Sequence, residues 1–246
     1  MTPARSFWHV LPFDCLPSTN RYIKEHWASL PDRTVVWALF QTEGRGRLNR
    51  SWISERGGLW ISFLFKDFVH PPDILQMLIG LGTAKSLESS FPENRFLLKW
   101  PNDIYIQGKK IAGILQENLY EPDLSACIIG LGININNPLP SELSAQATTL
   151  SQIVGTPLDL TQSLRTILDD LEWQWVNQDA GRLLHEWLEY SWIQPGMVVH
   201  IREEIKKQTF VGTVVEVTPT MITLQGDDRK THAFVAGDIH ILNIQT

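Results

Sequence analysis

The sequence predicts an α+β fold, in which a mixed sheet with flanking helices is followed by a small β-barrel. Two patterns indicate this. Short apolar strands and amphipathic helices are interspersed as far as Gln194-Pro195-Gly196, and only short strands with turn residues between them follow. About fifty residues of the second kind are typical of a barrel resembling an SH3 fold. We therefore expect a main domain over residues 1–195 and an accessory domain over residues 196–246.

The composition is that of an ordinary folded protein. Of the 246 residues, 43% are hydrophobic and 20% are charged, and no low-complexity tract occurs. The formal net charge of -6 disfavours a protein that coats nucleic acid, because phosphate binding normally needs a basic surface. Residues 1–10 lack the apolar core of a signal peptide, and no apolar run is long enough to span a membrane. We expect a cytoplasmic protein without a membrane partner.

Cysteine and histidine give no sign of a metal centre or of a disulfide framework. Cys15 and Cys127 are far apart and form no paired motif, and the seven histidines lack the spacing of zinc ligands. No protein metal ligand is predicted. Since Cys127 lies in an apolar run, we expect it to be a small buried hydrophobic residue.

A polar trio precedes the first predicted helix. Ser18-Thr19-Asn20 stands before Tyr22, Ile23 and Trp27, which recur at helical spacing, so the trio is predicted to cap a helix. Capping alone would explain it. Hydroxyl and amide groups at a helix start also suit a small polar ligand.

The chief basic cluster of this acidic chain follows a predicted strand over residues 34–41. Residues 44–50 contain three arginines and two glycines: Gly44, Arg45, Gly46, Arg47 and Arg50. Glycines let the backbone wrap closely around a ligand, while guanidinium groups grip phosphate or carboxylate with two hydrogen bonds. We therefore predict a mobile anion-binding loop over residues 44–52.

A second polar group lies in a predicted hairpin. The apolar strand at residues 95–100 is interrupted by Pro101-Asn102 and resumes at residues 104–106, and Gln107-Gly108 supplies a turn before another apolar run. If the strands pair, the polar side chains Lys99, Asn102, Asp103 and Lys110 converge. Two ammonium groups, a carboxylate and an amide suit an anionic ligand that undergoes group transfer.

The remaining elements read as core. Strands are predicted at residues 59–65 and 125–135, helices at residues 74–87, 164–175 and 183–188, a loop-rich stretch at residues 137–160, and barrel strands at residues 197–202, 209–217, 221–225, 230–235 and 239–244. Gly130-Leu131-Gly132 is not a dinucleotide fingerprint, because neither a third glycine nor a helix follows. A nicotinamide enzyme is therefore not expected, and no Walker motif occurs.

Five of these motifs together resemble the biotin-protein ligases, also called biotin-[acetyl-CoA-carboxylase] ligases. The motifs are Ser18-Thr19-Asn20, the arginine loop with Trp52, Lys99-Trp100-Pro101-Asn102-Asp103, Lys110-Ile111-Ala112-Gly113-Ile114-Leu115, and Gly132-Ile133-Asn134-Ile135-Asn136. Each alone is weak, but their order and the small barrel that follows form a specific signal. The resemblance implies the class II aminoacyl-tRNA synthetase-like core that biotin and lipoate ligases share.

The same resemblance implies two half-reactions and a set of site residues. Biotin and ATP give biotinyl-5′-AMP and pyrophosphate, and biotin then passes to a lysine of a carrier protein. The biotin-binding positions are Ser18, Thr19, Asn20, Gln41, Arg45, Gly46, Arg47 and Lys110, and the ATP-binding positions are Arg47, Arg50, Trp52, Asn102 and Asn134. Arg45 and Lys110 would stabilise charge at the reacting phosphate, and Asp103 would assist the incoming amine. Mg²⁺ would accompany ATP.

The resemblance also implies partners. It points to the biotin carboxyl carrier domain of acetyl-CoA carboxylase, and it is compatible with a homodimer built by edge-strand pairing. Some relatives carry an N-terminal DNA-binding domain, whereas the core pattern here begins within about the first twenty residues, so we expect a short form without DNA binding. Two alternatives remain open: a lipoate or octanoate transferase of the same superfamily, and a non-enzymatic nucleotide or biotin sensor.

Overall fold

The computed structural model describes residues 7–66, 71–121, 124–177, 179–203, 207–235 and 239–245. The chain divides into two compact units. Met1–Phe96 and Asn102–Asn177 form the first, and Leu97–Pro101 with Gln178–Thr246 form the second. Over the described ranges, no helix has both the length and the apolar character that crossing a membrane requires.

A seven-stranded mixed sheet runs through the first part of the chain. Its strands are β1 (His9–Phe13), β2 (Thr34–Ala38), β3 (Leu59–Lys66), β4 (Phe96–Lys99), β5 (Asp103–Ile106), β6 (Lys109–Glu121) and β7 (Leu124–Ile133). Their spatial order is β1-β2-β3-β7-β6-β5-β4. β1 and β2 are parallel, whereas β2 with β3, β3 with β7, β7 with β6 and β6 with β5 are antiparallel.

The helices of the first unit are α1 (Thr19–His26), α2 (Pro72–Ser90), α3 (Leu150–Val154) and α4 (Leu160–Asn177). Alternate side chains of a strand point to opposite faces, so neighbouring residues of β3 contact different helices. Leu64 belongs to the core cluster that contains Ile23 of α1, while Phe65 stacks on Trp175 of α4 with 5.0 Å between ring centroids. β3 therefore has buried residues on both faces, which its continuous apolar sequence permits.

The predicted hairpin is confirmed. Ile106 of β5 pairs with Lys109 of β6, and Gln107 and Gly108 form the turn with φ values of 49° and 76°. Two successive positive φ values match the twist of the flanking strands. The hairpin fixes Asp103 and Lys110 on neighbouring strands.

The second unit contains one helix and a separate antiparallel sheet. The elements are α5 (Ala180–Tyr190), β8 (Val198–Glu203), β9 (Gln208–Val217), β10 (Met221–Gln225), β11 (Thr231–Val235) and β12 (Ile239–Gln245). The strand order is β11-β10-β9-β8-β12. Within the parts of these strands that the structure describes, β11 and β12 do not pair, so an open five-stranded sheet is observed where a closed barrel is expected.

Trp100 packs inside the second unit. The side chain is 2% exposed, and its indole Nε1 donates to the carbonyl oxygen of Thr218 at 2.9 Å. The Lys99 ammonium lies 5.3 Å from the centroid of the Trp192 ring. Packing, rather than ligand contact, is thus the role of Trp100.

The predicted fold class is confirmed as a mixed sheet with helices and a small C-terminal antiparallel sheet. Two elements were not predicted. β1 has the sequence His-Val-Leu-Pro-Phe, which lacks a clear alternation, and it lies at the edge of the sheet. α3 lies in the stretch predicted to be loop-rich, where Thr149 and Gln152 form a reciprocal capping box.

Candidate functional site

A chain of neutral hydrogen bonds surrounds the start of α1. Ser18 caps the helix, as predicted, and accepts from the Arg21 backbone N–H at 3.4 Å. Gln41 Oε1 accepts from the Thr19 backbone N–H at 2.8 Å, and Gln41 Nε2 donates to Ser54 Oγ at 2.7 Å. The structure thus brings Thr19 and Gln41 together although 22 residues separate them in sequence.

Counting protons assigns a direction to the centre of this chain. Ser62 Oγ is 2.6 Å from both Thr19 Oγ1 and Asn20 Oδ1. Since an amide oxygen can only accept, the Ser62 proton goes to Asn20 Oδ1. The Thr19 hydroxyl lies between Ser62 Oγ and Gln41 Oε1, which is 3.1 Å away, and its single proton serves one of them at a time. Asn20 Nδ2 donates to Glu117 Oε2 at 2.9 Å. Apart from the hydrogen bond from Asn20 to the Glu117 carboxylate, these hydrogen bonds join neutral groups in a largely buried setting.

Gly130 provides the room for Asn20. A Cβ on Gly130 would collide with the Asn20 amide oxygen. Gly130 pairs with Ser62 across β3 and β7, so the missing side chain and the Ser62 hydroxyl lie side by side under Asn20. Close approach to a polar group is therefore the reason for this glycine.

The arginine loop folds back on itself through backbone hydrogen bonds. Trp52 N–H donates to the Gly44 carbonyl at 2.8 Å, and Gly46 N–H donates to the Arg50 carbonyl at 2.7 Å. Gly44 is buried, and a Cβ there would collide with the Trp52 carbonyl oxygen and Ser54 Oγ. The loop is thereby anchored at Gly44 next to the polar chain around Thr19.

The arginines of the loop differ in their surroundings. Arg47 Nη1 donates to Asn102 Oδ1 at 3.1 Å, and Asn102 Nδ2 donates to the Ile114 carbonyl at 2.7 Å. Arg45 and Arg50 are exposed. Within the described part of the chain, the Arg45 guanidinium has no hydrogen-bond or ion-pair partner. Arg47 thus joins the loop to the hairpin, and Arg45 remains available to an anion.

Lys110 and Asp103 form an ion pair across the hairpin. Lys110 Nζ lies 2.5 Å from Asp103 Oδ1, with side-chain exposures of 26% and 21%. The contact is an ion pair in which both side chains are largely shielded from solvent. Burial, together with the Asp103 carboxylate, raises the pKa of the Tyr105 phenol, which keeps that group neutral.

Loop residues 146–148 hold the backbone of Lys110. The Lys110 N–H donates to the Gln146 carbonyl at 2.8 Å, and the Thr148 N–H donates to the Lys110 carbonyl at 3.0 Å. The neighbouring Lys109 ammonium donates to the Ser144 carbonyl at 2.7 Å. The two lysines therefore have separate surroundings, and of the two it is Lys110 that faces Asp103.

Trp52 lies on a pair of glycines. Gly113 and Gly132 are cross-strand partners in β6 and β7. A Cβ on Gly132 would lie 2.6 Å from the indole Nε1, and one on Gly113 would lie 3.0 Å from Cζ3. The Lys110 ammonium is 4.9 Å from the ring centroid. The indole thus lies directly against the sheet beside Lys110, with its buried Nε1 making no hydrogen bond to any described residue.

Asn134 follows β7 and is 4% exposed. Its backbone N–H donates to the Ile111 carbonyl at 2.9 Å, which places it next to the Lys110 strand. Its Oδ1 accepts from Asn137 Nδ2 at 3.2 Å. Asn134 therefore has a fixed backbone and one fixed side-chain contact.

The predicted site residues all lie in the first unit and form two groups. The neutral group contains Ser18, Thr19, Asn20 and Gln41, and the charged group contains Arg47, Asn102, Asp103 and Lys110, with Trp52 and Asn134 beside it. Lys99 does not join them, because it contacts Trp192. Ser54, Ser62, Glu117 and Asn137 were not predicted. Contacts between residues distant in sequence connect Ser54, Ser62 and Glu117 to the site, whereas Asn137 contacts Asn134 three residues away.

Among the described residues, the site includes neither a cysteine nor a metal-binding cluster. Cys127 is buried, as predicted, and burial raises the pKa of its thiol to about 12. Among the described residues, no group of three or more His, Cys, Asp or Glu side chains is arranged to hold a metal ion. The donors of the site are hydroxyl, amide and cationic groups, with Asp103 as the carboxylate of the charged group.

Fold and site together define a protein whose first unit holds one group of neutral hydrogen-bonding side chains and one group of charged side chains. Solved structures include one with the same fold: "Biotin protein ligase from Aquifex aeolicus in complex with biotin and ATP" is 28% identical with a TM-score of 0.79, covering 96% of this chain and 99% of that one. Residues 12–134 match the Biotin/lipoate A/B protein ligase family. The chain belongs to this family.

Two relatives illustrate the range of similarity. Over 173 residues the chain is 38% identical to "Bifunctional ligase/repressor BirA" of Bacillus subtilis, covering 65% of this chain and 51% of that protein. Over 155 residues it is 31% identical to "Biotin--[acetyl-CoA-carboxylase] ligase" of Mycobacterium tuberculosis, covering 59% and 56%. The chain spans about half the length of these curated relatives.

Proposed function

We propose that the chain is an ATP-dependent biotin-protein ligase. It activates biotin as biotinyl-5′-AMP with release of pyrophosphate and transfers biotin to a specific lysine of a biotin carboxyl carrier domain of acetyl-CoA carboxylase. The observation that carries this proposal is the similarity over 96% of the chain to the Aquifex aeolicus ligase that was solved with biotin and ATP. The neutral and charged groups support it, because biotin has a neutral ureido group and a reacting carboxylate.

The neutral group is the proposed site for the bicyclic end of biotin. Ser18, Thr19, Asn20 and Gln41 offer hydroxyl and amide groups in fixed orientations, which suit a ligand with both N–H donors and a carbonyl acceptor. The hydrogen bonds around Ser62 support this assignment, since each amide of the group is oriented before a ligand arrives. Little ordering is then required on binding.

The cationic group is the proposed site of adenylation. The biotin carboxylate attacks the α-phosphorus of ATP, so negative charges crowd together and need cations that are already placed. Arg45, Gly46 and Arg47 would cover the acyl phosphate, and Lys110 would stabilise the charge at the reacting phosphorus. The exposed Arg45 guanidinium and the anchored Gly44 support a loop that closes on its anion.

Four further residues are proposed to hold ATP with Arg47. Arg50 and Asn102 would contact the phosphates, Trp52 would contact the purine, and Asn134 would hydrogen bond to its edge. The hydrogen bond from Arg47 to Asn102 supports a shared phosphate site. The position of Trp52 on the glycine pair and beside Lys110 supports a purine close to the reacting atoms.

Asp103 is proposed to assist the second half-reaction. A lysine amine is mostly protonated near neutral pH and must lose a proton before it attacks the acyl phosphate. Asp103 is paired with Lys110 in the ligand-free chain. When Lys110 turns towards the phosphates, the Asp103 carboxylate loses its partner and becomes able to accept a proton from, or to orient, the incoming amine. One ion pair would thus connect the two steps.

Mg²⁺ would enter with ATP rather than into a site made by the protein. The residues described provide no cluster of carboxylates or histidines for it. Mg²⁺ commonly keeps several waters and binds through substrate phosphates with one or two protein ligands, and it would screen the triphosphate and the departing pyrophosphate. Arg45, Arg47 and Lys110 would stabilise the same phosphate charges.

The domain division and the setting are part of the proposal. We assign catalysis to residues 1–195 and an accessory role to residues 196–246, which is supported by the separate sheet β8–β12. The proposed location is the cytoplasm. Edge strand β1 supports a homodimer formed by strand pairing, because edge strands pair readily.

Incubation with ATP, magnesium, a carrier domain and either labelled biotin or labelled lipoate tests the function. We expect label on the carrier with biotin, together with biotin-dependent exchange of pyrophosphate into ATP. Labelling by lipoate alone would instead identify a lipoate transferase. Binding of biotin without exchange would identify a sensor and overturn the proposal.

A further inference from the structure

Asn137 contacts the proposed purine-binding amide and has no role in the function described so far. It is 2% exposed and lies in the turn that follows β7. Its two amide atoms have different partners: Oδ1 accepts from the Ile135 backbone N–H at 3.2 Å, and Nδ2 donates to Asn134 Oδ1 at 3.2 Å. Asn137 therefore connects the backbone to the Asn134 side chain.

These two contacts determine which way the Asn134 amide is turned. The Ile135 N–H is a backbone group that can only donate, so the Asn137 atom facing it must be the oxygen. The other Asn137 atom is then the nitrogen, which can only donate, and the Asn134 atom facing it must be the oxygen. Asn134 Nδ2 is left as an outward donor, and among the described residues it has no hydrogen-bond partner.

The surrounding backbone makes this arrangement rigid. The carbonyl of Asn134 accepts from the Leu150 N–H at 3.0 Å, and the Asn136 N–H donates to the Gly57 carbonyl at 2.7 Å. A Cβ on Gly57 would lie 2.9 Å from the Asn137 backbone nitrogen, so this turn is closely packed. The orientation is therefore built into the fold.

We propose that Asn137 is a positioning residue that makes the nucleotide site selective for adenine. This rests on the proposed function, in which Asn134 contacts the purine. With Nδ2 outward, Asn134 donates to a ring nitrogen of adenine, N1 or N7, and the second lone pair of Oδ1 accepts from the 6-amino group. Hypoxanthine has an oxygen at position 6, which would face Oδ1 and repel it. If the Asn134 amide were reversed, its nitrogen would face position 6, where it could donate to the oxygen of hypoxanthine but not to the amino group of adenine.

Asn137→Asp reverses the amide in this scheme. The carboxylate still accepts from the Ile135 N–H, but its second oxygen now faces Asn134 as an acceptor, so Asn134 turns its nitrogen inward. We expect the ratio of adenylation efficiency (kcat/KM) with ATP to that with ITP to fall by about tenfold or more, since discrimination by paired hydrogen bonds is lost. Affinity for biotin in the absence of nucleotide should be unchanged.

Asn136→Asp is the matched control. It adds the same charge one residue away, where the Asn136 side chain pairs with the backbone of Leu158 and does not touch Asn134. Its ratio should stay at the wild-type value. A wild-type ratio in Asn137→Asp that binds biotin normally would overturn the inference.

Asn137→Leu covers the case in which the buried carboxylate prevents folding. Leucine resembles asparagine in shape and neither donates nor accepts, so Asn134 is released and the ratio should fall. An unchanged ratio here would also overturn the inference. Failure of the wild-type chain to adenylate biotin with ATP would instead contradict the proposed function, which keeps the two failures distinguishable.

Discussion

The neutral group around Thr19 and the charged group around Lys110 lie in the same unit but are built differently. In the neutral group, Thr19, Asn20 and Ser62 are buried, and hydrogen bonds of 2.6 Å join Ser62 to the other two. In the charged group, Lys110 and Asp103 are about a quarter exposed and are held by an ion pair. The neutral group is arranged to recognise a ligand, and the charged group is arranged to exchange partners.

This difference follows from what each end of the ligand does. A ureido group does not change during the proposed reaction, so a rigid set of hydrogen bonds serves it throughout. The carboxylate becomes an acyl phosphate and then an amide, so the cations beside it must change partners. The following substitutions separate the two behaviours.

Lys110→Ala should have the largest effect. It removes the charge assigned to the reacting phosphorus, and we expect the rate of biotinyl-AMP formation to fall by about 10³-fold, as for loss of one preorganised charge-stabilising group. Biotin affinity should fall by a much smaller factor than the rate. Single-turnover assays and calorimetry measure the two quantities. Lys109→Ala is the control, because its ammonium contacts the Ser144 carbonyl, and equal losses in both variants would refute the assignment.

Gly132→Ala should come second. The new Cβ would lie 2.6 Å from Trp52 Nε1, and overpacking of this kind costs about 2 kcal/mol, or about thirtyfold in affinity for ATP. In a Trp52→Phe background the same change should cost less, because the smaller ring leaves room. A double-mutant cycle on the KM for ATP measures the coupling. Additive effects on the KM for ATP would mean that the Gly132 substitution does not act through the Trp52 indole.

Ser62→Ala should weaken biotin binding by about tenfold, since it leaves the buried Asn20 Oδ1 without a proton. The adenylation rate at saturating biotin should be retained. Titration calorimetry and initial rates separate affinity from turnover. Thr83→Val is the matched control, because it removes another fully buried hydroxyl, which donates to the Ile79 carbonyl. A rate defect with normal affinity in Ser62→Ala would assign Ser62 to the charged group instead.

The smallest effect concerns the arginine loop. Trypsin should cleave after Arg45, Arg47 or Arg50 in the free chain, and biotin or its adenylate should slow this severalfold as the loop closes on its anion. Mass spectrometry of the fragments over time measures the protection. Cleavage that is unchanged by ligand would argue against loop closure.

Local signals predicted the parts of the site that local structure creates. Ser18 caps α1 because a hydroxyl before an amphipathic helix satisfies a free N–H, and the chain turns at Gln107-Gly108 because Gly108 readily accepts positive φ. The capping box at Thr149 and Gln152 is a local signal of the same kind, but it lies within residues 137–160, whose composition predicts a loop.

Contacts between distant residues could not be predicted in this way. Ser62 lies in an apolar strand, and its contact with Asn20 spans 42 residues, while that of Asn20 with Glu117 spans 97. Each of these residues has an unremarkable local sequence. Their polar atoms acquire partners only through the order of the strands, which periodicity does not determine.

The strand order has a consequence for how the chain folds during synthesis. β7 is the last strand of its sheet to be made, yet it lies between β3 and β6. Until the chain has been made as far as Ile133, β1–β3 and β4–β6 have no hydrogen-bonded connection, and β3 and β6 each expose an unpaired apolar edge. Such edges attract other chains, and pairings that are distant in sequence form slowly. Insertion of β7 closes both edges and joins β6, which carries Lys110, to β3. The interval before residue 133 emerges is therefore when a nascent chain most needs a chaperone.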